Sequence, residues 1–169
     1  MANEAMFLTA VINALEGGEV ALFDVPGSFM QANMDELVHV RFTGKMVELL
    51  LEIDREMYEP CVATEGKQKV MYVELLKALY GTVCMARLFW EKLSGKLKEW
   101  GFSMNPYDSC MANKMVNGKQ LTVAWHVNDL KASHQELEVL KWFAKLLNDE
   151  FGRETQLQNP TARNTSIWA

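Results

Sequence analysis

Apolar side chains recur along this chain with two periods, and the switches between them mark its elements. Between Glu4 and Glu16, Phe7, Leu8, Val11, Ile12 and Leu15 stand at helical spacing and Gly17-Gly18 closes the pattern, so an amphipathic helix is expected. The run Val20 to Phe23, stopped by Pro26-Gly27, predicts a strand over 19–25 that carries Asp24 near its end. Leu37 to Phe42 alternates apolar and polar residues and reads as a second strand pairing back on the first. From Gly44 the text turns helical: Met46, Val47, Leu50, Leu51 and Ile53 share a broad apolar face, and Tyr58-Glu59-Pro60 ends it. A strand is expected over 67–73. Leu75, Leu76, Leu79 and Tyr80, then Leu88, Phe89, Leu93 and Leu97, form an apolar stripe broken by Gly81. Its longer part predicts a helix over 84–100, stopped by Gly101.

Asn117-Gly118 is the favoured dipeptide for a two-residue type I′ turn, and the segments 110–116 and 119–127 on either side predict a hairpin. Its second strand runs into the polar corner His126-Val127-Asn128-Asp129, from which Leu130 to Ala132 leaves as another short strand. Leu137, Leu140, Phe143, Ala144 and Leu147 predict a final packing helix within 134–151. The order helix, strand, strand, helix, strand, helix, hairpin, helix is that of an α+β fold, an antiparallel sheet backed by helices on one side. Residues 1–156 read as one domain and 157–169 as a polar, loosely ordered tail.

Composition narrows the function classes. With 169 residues, 49% of them apolar, the chain can bury a core of its own. A net charge of −5 is the wrong sign for a free-standing nucleic-acid binder, since phosphate contacts need an excess of Lys and Arg. Cys61, Cys84 and Cys110 form no C-x-x-C pair and leave one over, which argues against a zinc site or disulfide framework and for a reducing, intracellular, cytoplasmic setting. No apolar run approaches the roughly 18 residues of a membrane span, and no basic region precedes the first apolar stretch, so no membrane partner is expected. His39, His126 and His134 lack the spacing of a metal site and are assigned structural or surface roles. By pattern alone Asp24 is a turn-forming acid beside Pro-Gly. If the strands that end on Asp24 and Asp129 are neighbours, however, the two carboxylates face one cavity.

Three blocks carry a family resemblance. Asp24-Val25-Pro26-Gly27-Ser28-Phe29-Met30-Gln31-Ala32 resembles the D-V-x-x-A-F-L-N-G segment of copia-type retrotransposon reverse transcriptases. Leu76-Lys77-Ala78-Leu79-Tyr80-Gly81, continuing to Arg87-Leu88-Phe89-Trp90, resembles their K-A-L-Y-G-L-K-Q-A-P-R-x-W block, and His126-Val127-Asn128-Asp129 stands where the family has Y-V-D-D. The blocks fall in the family's order over roughly residues 5–155. The resemblance implies a right-hand polymerase palm without complete fingers and thumb, part of a Pol polyprotein. It also implies RNA-directed DNA synthesis on an RNA or DNA template with primer and deoxynucleoside triphosphates, and as further partners the polyprotein's fingers, thumb and RNase H parts.

The family's catalysis uses two Mg²⁺ ions held about 3.5–4 Å apart by carboxylates. By resemblance Asp24, Asn128 and Asp129 are the catalytic positions, Asp24 and Asp129 the metal ligands, and Phe29 the nucleotide-contacting residue that disfavours a 2′-hydroxyl. Two departures matter. Asn128 replaces the first acid of the pair, so it brings no charge to balance the ions, and Cys84 falls in the stretch where the family has a nucleotide-approaching Gln. The expectation is therefore a polymerase domain with weak or absent activity. The alternative is a non-catalytic, decayed or domesticated fragment acting as a binding or scaffold module.

Overall fold

Five strands and two long helices carry the candidate site in a computed structural model that describes residues 2–25, 27–82 and 84–152. The expected tail, 157–169, and the domain boundary before it lie outside the described residues. β1 (Glu19–Asp24), β5 (Ser103–Met104), β6 (Met111–Val116), β7 (Lys119–His126) and β8 (Asp129–His134) form an antiparallel sheet in the order β1-β8-β7-β6-β5. A second antiparallel sheet holds β2 (His39–Thr43), β3 (Val62–Glu65) and β4 (Gln68–Glu74) in the order β2-β4-β3. Five helices complete this α+β fold: α1 (Asn3–Leu15), α2 (Lys45–Ile53), α3 (Arg55–Tyr58), α4 (Met85–Glu99) and α5 (Leu137–Phe151).

The period-2 pattern decides which face of the larger sheet is covered. Ala21 and Phe23 of β1, Leu130 and Ala132 of β8, and Leu121, Val123 and Trp125 of β7 point one way and are buried. They pack with Phe89, Leu93 and Leu97 of α4 and with Leu140, Phe143, Leu147 and Phe151 of α5 in one core. Phe143 is the aromatic centre of that core, with ring centroids 5.7 Å from Phe23, 5.7 Å from Phe102 and 6.3 Å from Trp100. Val20, Leu22 and Asp24 therefore point to the opposite face, with Asp129, Lys131 and Ser133.

The predicted hairpin forms as expected: Asn117 and Gly118 both have positive φ, 52° and 76°, as a type I′ turn requires. Both long helices also form where their stripes predict them.

Two expectations are corrected. β2 does not pair back on β1: the chain leaves β1 through Gly27, at φ 61°, into a 3-10 turn over Ser28–Gln31, and β2 joins β4 instead, with Val40 opposite Val73 and Phe42 opposite Met71. β1 is left as an edge strand bonded only to β8. The apolar residues Leu76, Leu79 and Tyr80 are exposed on irregular chain. Only Ala78 of that stretch is fully buried, against Ala32 and Leu88. β3 is a short, largely exposed strand without an apolar alternation to mark it. It is turned into β4 by Gly66-Lys67, and the Glu65 carboxylate ties the small sheet together by accepting from Arg41 Nη2 and Tyr72 Oη, each at 2.6 Å.

Among the described residues no helix is long and apolar enough to cross a membrane, and all three cysteines are free.

Candidate functional site

The site is built by strand register. β1 and β8 pair with Asp24 directly opposite Asp129, and β8 pairs with β7 so that His126 also stands opposite Asp129. Opposed residues share a face of the sheet. The three side chains thus form a row across the strand ends, all exposed, on the face away from α4 and α5. Residues far apart in sequence, Asp24 and Asp129, are brought together as the paired-strand condition requires.

Between β7 and β8 the chain reverses in two residues, Val127 and Asn128. Val127 has φ 55° whereas Asn128 does not share that left-handed region, the φ signature of a type II′ turn. A glycine is normal at this position; a β-branched side chain there is strained by about 1–3 kcal/mol. Two contacts from the end of β1 hold the turn. The Val25 amide donates to the Asn128 carbonyl at 3.1 Å, and Asn128 Nδ2 donates to Asp24 Oδ1 at 2.6 Å. A side chain from the strained turn is thereby fastened to the carboxylate that the sequence singles out. Val127 is itself 38% exposed, so little burial is lost on truncation. Val127→Gly should raise stability by about 1 kcal/mol, the relieved strain exceeding glycine's entropic cost. A thermal midpoint about 2–4 °C higher would show it; a lower midpoint would mean the turn is unstrained.

The donor set has a definite chemistry. Asp24 and Asp129 offer exposed carboxylate oxygens, the hard ligands Mg²⁺ prefers, and Asn128 offers one amide oxygen. In the observed arrangement the amide presents its N–H₂ to Asp24 as a neutral donor. Turned over, it could give its oxygen to a cation instead. Two carboxylates and an amide have the chemistry of a hard-cation site with one carboxylate fewer than the family's two-ion centre uses. Among the described residues no group of three or more His, Cys, Asp or Glu side chains is arranged to hold a metal.

Phe29 lies in the 3-10 turn after β1, half-buried, with its ring 6.5 Å from Phe89 and 6.1 Å from Tyr80. Its ring contacts are thus with core Phe89 and the exposed Tyr80. Cys84 packs beside Ala32, Ala78 and Leu88 in a small apolar cluster. His134 is buried and structural: its Nδ1 accepts from the Glu136 amide at 2.9 Å, and its Nε2 lies 3.3 Å from the Val116 carbonyl. His39 and His126 are exposed, so the surface assignment suits both.

Two residues near the site had no sequence signal. Gln31, which reads as an ordinary turn residue, is buried; its Nε2 donates to the Phe151 carbonyl at 2.8 Å, and Lys92 Nζ donates to the Gln31 carbonyl at 2.8 Å. These bonds fasten the segment after Asp24 to α4 and to the end of α5. Lys131 stands two residues along β8 from Asp129 on the same face, and partial burial lowers its pKa below the ordinary lysine value. Its Nζ donates to Thr9 Oγ1 of α1 at 3.2 Å. No family description, no curated protein and no solved structure matches this chain.

Proposed function

We propose that this chain is the palm of a copia-type RNA-directed DNA polymerase whose catalytic centre is impaired by Asn128. The observation that carries the proposal is the β1–β8 register, which sets Asp24 opposite Asp129 at the open end of a sheet whose other face is backed by α4 and α5. A polymerase palm needs that arrangement: two carboxylates on strand ends, exposed to substrate, with a rigid core behind them. In this proposal Asp24 and Asp129 hold Mg²⁺, and Phe29 contacts the sugar of the incoming nucleotide. Mg²⁺ bound there supplies Lewis-acid stabilisation of charge at the reacting phosphate. Template and primer lie in the cleft that fingers and thumb domains complete, and basic surfaces on those domains offset this chain's net charge of −5.

In this proposal Asn128 is what keeps activity low. Its amide occupies a lone pair of Asp24 that the ion needs, and it adds no negative charge. The same bond favours the second reading, a non-catalytic module descended from such a palm, because it gives the site a self-satisfied state without metal.

Primer extension on an RNA template with Mg²⁺ separates the two. The parent chain and Asn128→Asp are each placed in a complete fingers and thumb context. Losing one neutral transition-state donor costs roughly 10²–10³ in rate, so restoring a ligand carboxylate should raise extension by at least about 10²-fold. Equal extension by both would show that Asp24 and Asp129 suffice. Extension by neither would leave the non-catalytic module as the better account.

A further inference from the structure

Helix α1 turns most of its large apolar side chains away from the protein. Its inward face carries one large apolar side chain, the half-buried Met6; beside it Thr9 is buried over Lys131, and Ala5 and Asn13 are half-buried. The outward face carries Phe7, Leu8, Val11, Ile12 and Leu15, which are between 43% and 82% exposed. Beyond the Lys131–Thr9 contact, the Ala2 amide donates to Asp108 Oδ2 at 2.8 Å, and Asn13 Nδ2 closes the helix end on the Gly18 carbonyl at 2.9 Å. Those exposures leave on the order of 500 Å² of contiguous apolar surface, the size that marks an interaction site on an otherwise polar protein.

Charge selects the occupant. Residues 1–40 contain six acids, Glu4, Glu16, Glu19, Asp24, Asp35 and Glu36, and the first Lys or Arg of the chain is Arg41. Glu4 in the first turn of α1 and Glu16 at its C-cap stand at the two ends of the stripe and are exposed, and the exposed Glu19 begins β1 just beyond. A helix that lies on an anionic membrane needs Lys and Arg on its polar face, and α1 has neither. Nucleic acid is repelled for the same reason. A second copy packed through the same face would bring a second set of acids to the same surface.

We propose that α1 is a docking helix for a partner protein whose apolar surface is flanked by Lys and Arg, recognised in the helix-against-apolar-surface mode. Apolar contact supplies the buried area; the acids at the ends of the stripe select the basic partner. The inference is independent of any polymerase activity.

The test uses the full chain and three helical peptides: a Leu/Ile face flanked by Lys, the same face flanked by Glu, and a Lys-flanked peptide with an Ala/Ser face. Binding is read by calorimetry and by amide shifts of α1. The Lys-flanked Leu/Ile peptide should bind at least about tenfold more tightly than its Glu counterpart. The Ala/Ser peptide should not bind. Val11→Asp with Leu15→Asp should abolish binding while leaving the far-ultraviolet spectrum and melting point unchanged, because both positions lie outside the core. Equal affinity for both Leu/Ile peptides, or no α1 shifts, would overturn the proposal. So would self-association lost in the double variant, which would identify a second copy, or partitioning onto phosphatidylserine vesicles, which would identify a membrane.

Discussion

Asn128→Asp should make the stability of this chain depend on divalent cations. In the parent, the amide gives Asp24 a neutral donor at 2.6 Å, so the end of β1 and the β7–β8 turn are joined without any ion. The substitution removes that bond and sets a new carboxylate among Asp24 and Asp129. A hydrogen bond to a charged group is worth about 1.5–3 kcal/mol, and solvent exposure brings this one to the low end, but added like-charge repulsion acts in the same direction. In EDTA the variant should therefore lose about 1–2 kcal/mol and melt roughly 2–8 °C below the parent. Mg²⁺ at 100 times its dissociation constant returns about 2.7 kcal/mol, enough to restore the variant's midpoint to the parental level or above it. The parent should show no comparable gain. Thermal melts of both proteins with EDTA and with MgCl₂ make the comparison. A variant indifferent to Mg²⁺ would sink the assignment of Asp24 and Asp129 as ligands.

Phe143→Ala should cost more stability than any change at the site. Phe143 is fully buried, and its ring meets β1 through Phe23, the chain beyond α4 through Trp100, and the approach to β5 through Phe102. Removing a buried Phe side chain costs about 3–5 kcal/mol in lost transfer energy and residual cavity, against a total of about 5–15 kcal/mol for a domain. Because Phe23 immediately precedes Asp24, the loosened packing also reaches the strand that presents the carboxylate. Trp142 is the control. It is the adjacent residue, 39% exposed, with Lys114 Nζ 5.0 Å from its ring. Trp142→Ala should cost about 1 kcal/mol or less. Urea denaturation with an unchanged slope measures both. Equal losses would mean that α5 does not turn the face shown here toward the sheet.

Much of this fold is legible in the residues because the controlling interactions are local. The Asn117-Gly118 hairpin needs only two residues that tolerate positive φ and alternating arms beside them. α4 and α5 need only their apolar stripes and the glycines after them. The acids were legible as strand-end residues, since a polar corner after an apolar run says where a carboxylate stands.

Partner choice was not legible. The alternation in β2 fits any strand edge with a matching face, and the 3-10 turn at Ser28–Gln31 sends it to β4 rather than β1. Leu76, Leu79 and Tyr80 carry the same apolar text as α4, yet they are exposed on irregular chain, since Gly81 takes φ 98° and the helix starts only at Met85.

The sequence by itself determined the places of α1, β1, α4, α5 and the Asn117-Gly118 hairpin, which residues line their stripes, and that Asn128 brings an amide where Asp24 and Asp129 bring carboxylates. Those are properties of single residues and of neighbours within a turn or two. Only the tertiary structure decided that β1 lies against β8, which sets Asp24 opposite Asp129, that the Asn128 amide closes on Asp24, and that α1 faces its apolar stripe outward. Periodicity shows that a stripe exists, but its direction depends on the surface it meets. Beneath α1 that surface presents Lys131, which hydrogen-bonds Thr9 instead of receiving a row of apolar side chains.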